Sequence, residues 1–145
     1  MKGADILWRA LDHAPKVTLL SVGAPSRAVA EFGARVRSIA LPLVADTAPL
    51  YRAADVLVMP SRREAAPYTM LEAVASGLPV IASNIAPLAE IAAEIPGVSL
   101  VENEPLSLAN ALAHRTYLNP GDIEIARARI GLDRWVREMR SLYDA

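Results

Sequence analysis

The chain has no cysteine. This excludes disulfides and thiolate metal sites, and it suits a cytoplasmic setting. It has no basic run, and its formal net charge is −1. A chain of that balance lacks the electrostatic footprint of a nucleic-acid binder. No apolar stretch approaches the ~20 residues of a membrane-spanning helix. The start carries no signal-peptide apolar region, and no repeat, linker or low-complexity segment interrupts the chain. Only two histidines occur, His13 and His114. They fall on separate predicted helices, without metal-ligand spacing. There is no G-x-G-x-x-G, no G-x-x-x-x-G-K-[ST] and no G-x-S-x-G, so the dinucleotide fingerprint, the P-loop and the nucleophile elbow are all absent.

What remains is a globular composition, 53% hydrophobic and 21% charged, which argues against disorder. A chain of 145 residues is the size of one domain, able to bury about 68–70% of its unfolded surface. Its prolines and glycines divide an alternating pattern. Helices are expected at Asp5–His13, Ser26–Arg35, Thr47–Ala53, from Pro67, Leu88–Glu94 and Leu106–Leu118, with one or two more over Asp122–Tyr143. Strands are expected at Val17–Val22, Val36–Leu43, Val56–Met59, Val80–Ala82 and Val98–Val101. Strands alternating with helices imply an α/β fold: a Rossmann-like, three-layer parallel sheet flanked by helices and joined by right-handed crossovers.

The chemistry concentrates in Ser61–Ser83, SRREAAPYTMLEAVASGLPVIAS. Val56–Met59 is a short apolar run closed by Pro60, as expected of a strand covered on both faces. Glu64 then falls in the loop at that strand's carboxyl end, where open α/β sheets bind ligands. Pro67 fits the first position of a helix, where its missing N–H costs nothing. The amides of Tyr68 and Thr69 follow, and a helix start of this kind binds phosphate through free N–H groups and the helix dipole. Glu72 lies about one turn further on, with seven residues between it and Glu64. Each residue also has a plain reading: a carboxylate near a helix start is favoured by the dipole whatever its function, and Glu64 is equally acceptable as a solvated loop residue. Glu94 and Glu102 share the spacing without any such surroundings, so context rather than spacing carries the argument. Arg62 and Arg63 fit either a phosphate or acceptor contact or simple solvation.

This block resembles the nucleotide-sugar site of the group 1 retaining glycosyltransferases, also called family 4, which have the two-domain GT-B fold. The likeness is most specific from Tyr51 to Ser83 and extends loosely from Lys2 to Leu118. It implies that the chain, residues 1–145, is one half of a GT-B fold: a single donor-binding domain lacking the acceptor domain and this domain's first strand. The resemblance gives Glu64 a place beside the donor sugar and its phosphate. Glu72 would accept hydrogen bonds from the ribose hydroxyls, and the helix start at Pro67, Tyr68 and Thr69 would hold the diphosphate. Lys2, in Met1-Lys2-Gly3, matches a lysine that neutralises the diphosphate, although its position next to the terminus predicts poor placement. The family's partner arginine has no counterpart. Ala40–Leu43, with Leu41 and Pro42, aligns with the segment whose backbone meets the base, and Gly23 with a close approach to the ligand. Ser83, Asn84 and Glu90 follow the family outline. Two departures stand out. Ala65-Ala66-Pro67 replaces a frequent Gly-Phe-Gly, and proline removes an amide donor. Ala86-Pro87 replaces a frequent Gly-Gly.

No Asp-x-Asp occurs, which disfavours the metal-dependent GT-A type. The resemblance therefore implies no metal and no cofactor beyond the nucleotide-sugar donor, a UDP- or GDP-sugar, and a polysaccharide or cell-envelope role at the cytoplasmic side of a membrane. Alternatives are a non-catalytic Rossmann-like module binding a nucleotide or protein, a nucleotide-sugar epimerase, and a glycoside hydrolase using Glu64 and Glu72 as paired carboxylates. Trp135, Val136, Met139, Leu142 and Tyr143 are spaced for a helix face that packs on the chain's own sheet or on a second copy.

Overall fold

The computed structural model describes residues 2–24, 36–114 and 117–131. In chain order the elements are α1 (Ala4–Ala10), β1 (Thr18–Val22), β2 (Arg37–Leu41), α2 (Ala48–Ala53), β3 (Leu57–Met59), α3 (Tyr68–Ala75), β4 (Val80–Ser83), α4 (Ala86–Glu94), β5 (Val98–Val101), α5 (Pro105–Ala113) and α6 (Pro120–Ile130). All strand pairs among the described residues are parallel: β1 with β2 in one sheet, and β3, β4 and β5 in that order in another.

The three-stranded sheet is the middle of a three-layer sandwich. Successive side chains on a strand point to opposite faces, and β4 shows this directly. Val80 and Ala82 join a core with Met70, Ala73 and Val74 of α3, Leu88 of α4 and Ala126 of α6. Ile81 joins the opposite core with Ile6 and Ala10 of α1 and Leu108, Ala109 and Leu112 of α5. Leu57 and Met59 of β3 follow the first core, and Val58 the second. Every residue of β4 is buried, as befits a central parallel strand covered on both sides.

The expected α/β alternation is present, with differences at element ends. Helix α3 begins at Tyr68, so Pro67 is its N-cap rather than its first helical residue. The Pro67 carbonyl accepts from Met70 at 2.9 Å and Leu71 at 3.3 Å. Helix α4 begins at Ala86, ahead of the expected Leu88, with Pro87 in its first turn, a position where proline's fixed φ is already helical. Helix α5 stops at Ala113, short of the expected Leu118. Leu118 instead lies against Gly97, where its side chain occupies the space a Cβ would fill. Gly77 ends α3 as expected, with φ +86° in the left-handed region that glycine enters without steric cost. Helix α6 opens with a reciprocal cap, Asp122 N–H on Asn119 and Asn119 N–H on Asp122. The expected helix at Ser26–Arg35 and the apolar face from Trp135 to Tyr143 lie outside the described residues.

Candidate functional site

Because β3, β4 and β5 are parallel, their carboxyl ends gather on one edge of the sheet. Ser61 follows β3, Ser83 closes β4 and Asn103 follows β5. Ser61 and Ser83 are buried, and Asn103 Nδ2 donates to the Ser61 carbonyl at 3.5 Å. The Ser83 hydroxyl and Asn103 Oδ1 are buried there without a hydrogen-bond partner among the described residues.

Glu64 stands at this edge. Its Oε1 accepts from Ser61 Oγ at 2.6 Å and from Lys2 Nζ at 2.6 Å. The carboxylate is only 6% exposed, whereas the Lys2 side chain is 77% exposed. Burial alone pushes the Glu64 carboxyl up. The hydrogen bonds from Lys2 and Ser61, with the lysine's charge, outweigh it and hold Glu64 below its ordinary value. Lys2 is therefore well placed, contrary to the expectation for a near-terminal lysine. The reason lies in its neighbour. Gly3 caps α1 with φ +69°, and its α-carbon presses so closely on Pro60 that a Cβ would come within 1.7 Å of the Pro60 carbonyl oxygen. Only glycine permits that approach, and it carries Lys2 to the loop after β3.

The second carboxylate, Glu72, projects from α3 and accepts from Tyr51 Oη at 2.8 Å. Tyr51 belongs to α2, which packs beside α3. Partial burial, then the bond to Glu72, raise the Tyr51 phenol above its ordinary value and keep it a donor. At the start of α3, the two expected phosphate-binding amides differ. Tyr68 N–H donates to the Ala66 carbonyl at 2.9 Å. The short loop after Ala65 folds that amide back. Thr69 N–H has no acceptor among the described residues. The Tyr68 ring itself is 69% exposed.

Gly23 and Leu41 meet at the carboxyl ends of β1 and β2, where Gly23 N–H donates to the Leu41 carbonyl at 2.9 Å. Pro42 and Leu43 follow, exposed, with the Leu43 side chain over the Gly23 α-carbon. Among the described residues no three histidine, aspartate or glutamate side chains gather as metal ligands, and no helix is long and apolar enough to cross a membrane. Arg62 forms a two-pronged pair with Asp5, at 2.7 and 2.5 Å. Tyr51, Ser61 and Asp5 carry no role in the sequence reading. Ser61 is three residues before Glu64, a local signal. Tyr51 and Asp5 reach their partners only through tertiary packing.

The family described as "Glycosyl transferases group 1" matches residues 1–115. Among curated proteins, the chain is 32% identical to the D-inositol 3-phosphate glycosyltransferase of Xylanimonas cellulosilytica, over 99% of this chain and 39% of that protein. It is 37% identical to the enzyme of that name from Geodermatophilus obscurus, over 66% of this chain and 21% of that protein. The chain thus spans well under half of these relatives. Among solved structures, sucrose-phosphate synthase from Thermosynechococcus elongatus superposes with a TM-score of 0.78 at 27% identity, over 99% of this chain and 42% of that one. Anabaena HepE, solved in complex with UDP and glucose, superposes with a TM-score of 0.74 at 21% identity, over 99% of this chain and 45% of that one, a likeness of fold. With a parallel α/β sandwich and a family match over most of its length, the chain belongs to the group 1 glycosyltransferases.

Proposed function

We propose that this chain is the donor-binding part of a retaining glycosyltransferase, moving a hexose from a UDP- or GDP-sugar to an acceptor held by a further domain. The observation that carries this reading is the pairing of Lys2 and Ser61 on Glu64, in the loop that leads into α3 with its open Thr69 amide and its Tyr51-held Glu72. Each of these groups suits one part of a nucleotide diphosphate. Glu72 accepts from the ribose hydroxyls. Thr69 N–H and the start of α3 meet the diphosphate. An ammonium has three donors, so Lys2 can serve Glu64 and a phosphate together. Gly23, Leu41 and Pro42 are assigned to the backbone contact with the base.

In this reading the chemistry is electrostatic. As the glycosidic bond breaks, negative charge grows on the departing diphosphate, and Lys2 with the helix start stabilises it in place, without a metal ion. The acceptor proton passes to the leaving phosphate oxygen. A hydrolase fits less well, since such an enzyme needs a carboxyl held protonated as general acid, while Glu64 is held below its ordinary value. The curated relatives are named for D-inositol 3-phosphate, so that phosphate is the first acceptor to assay in the longer protein.

Calorimetric titration of UDP and GDP into the chain and into Glu72→Ala tests the proposal. One nucleotide should bind, and the substitution should weaken it by roughly tenfold or more, the worth of hydrogen bonds to a charged acceptor. Absence of binding by both at millimolar concentration, or an unchanged affinity in Glu72→Ala, would count against the donor site.

A further inference from the structure

The Asp5–Arg62 pair does not belong to the donor site by contact, yet it spans the same two segments. Asp5 lies in the first turn of α1, three residues from Lys2, and Arg62 lies two residues before Glu64. Three ties therefore join these segments in a row: Gly3 pressed on Pro60, Asp5 gripped by both Arg62 nitrogens, and Lys2 on Glu64. Gly3 fixes the approach but has no side chain to set direction. The Lys2–Glu64 contact is monodentate, on a long and exposed lysine. The Arg62 fork is the tie with directional geometry, because a planar guanidinium on a carboxylate fixes orientation as well as distance.

We propose that Asp5 and Arg62 are positioning residues: their paired side chains clamp the start of α1 to the loop after β3 and so hold the Lys2 ammonium against the Glu64 carboxylate. This rests on the donor-site reading for its consequence, but not for its geometry. Arg62 stands two residues before Glu64 and turns its side chain to Asp5. Its guanidinium is committed to Asp5, which it holds below the ordinary aspartate value. As an exposed pair it contributes little to global stability, so its loss is read in local geometry.

The test uses Asp5→Asn, Arg62→Gln and the double substitution, with the Glu64 carboxyl carbon followed by NMR across pH. Through-space charge and clamping predict different signs. If only charge matters, removing the Asp5 negative charge lowers the Glu64 titration midpoint and removing the Arg62 positive charge raises it. If the pair clamps Lys2, both single substitutions raise the midpoint toward the ordinary value. The double substitution then raises it no further than either alone, the non-additivity of a shared interaction. Far-ultraviolet circular dichroism should stay unchanged in all three. Opposite shifts in the two single variants, or no shift in either, would overturn the clamp. UDP titration adds a separate arm. Both single variants should weaken UDP by a similar factor, roughly fivefold at most for an exposed pair. Weakening by Arg62→Gln alone would make Arg62 a ligand contact and also overturn the clamp. If the unaltered chain binds no UDP, the donor reading fails, and the Glu64 titration still decides the clamp.

Discussion

Gly3 shows how one residue without a side chain sets a site. Its φ of +69° and its contact with Pro60 leave no place for a Cβ. Gly3→Ala should destabilise the chain by about 1–3 kcal/mol through strain and displacement, seen as a lower urea midpoint at unchanged m-value. It should also loosen Lys2 from Glu64. Glu64 makes a second prediction at this scale. Its folded value lies below its ordinary value of 4.5, so in acid the unfolded chain binds the extra proton first. Stability from the Lys2–Glu64–Ser61 contact is therefore present above about pH 4.5 and is lost as pH falls through the lowered folded value. Glu64→Gln should remove that part of the stability–pH curve, measured by urea unfolding from neutral pH into acid. Tyr51→Phe tests the other carboxylate. It removes the hydroxyl that holds Glu72 and should weaken nucleotide binding while changing stability by no more than ~1 kcal/mol, because the bond is exposed.

At the scale of elements, α3 couples the core to the site. One face buries Met70, Ala73 and Val74, all fully enclosed, and the other carries Glu72 and Tyr68 outward. Met70→Ala should cost about 2–5 kcal/mol by opening a cavity beneath the helix, read from equilibrium unfolding. Much of this was legible in the sequence. Strand β5 falls where its apolar run places it, and Gly77 ends α3 where a left-handed residue is needed. The helix starts were legible only to within a residue or two, because proline is acceptable both at the cap and just inside it: Pro67 caps α3, while Pro87 sits inside α4. The end of α5 was hidden because Leu118 fits the helical spacing but is drawn onto Gly97 by packing. Among site residues, Glu64 and Glu72 stood out through their position after a strand and in a helix. Their partners Lys2 and Tyr51 are 62 and 21 residues away, distances at which no local pattern operates. The bond from the Tyr68 amide to Ala66 was not legible, because it depends on loop geometry that composition does not encode.

For the whole molecule, the candidate site is built from segments on both sides of the sheet: α1, which follows Lys2, packs on one core, and α3, which carries Thr69 and Glu72, packs on the other. The chain spans 39% of the length of the Xylanimonas relative. We therefore predict that it binds nucleotide yet transfers no sugar alone, checked by release of free nucleotide from a nucleotide-sugar with and without inositol 3-phosphate. Sustained acceptor-dependent release by this chain would refute that.

The most direct test is a backbone-amide NMR titration of the isotope-labelled chain with UDP and, separately, GDP. One nucleotide should shift Thr69, Glu72 and Gly23 in a single saturable event, with the Glu64 loop responding through Lys2. Saturable shifts confined to residues away from the carboxyl ends of β1 and β3, or no shifts with either nucleotide at millimolar concentration, would contradict it.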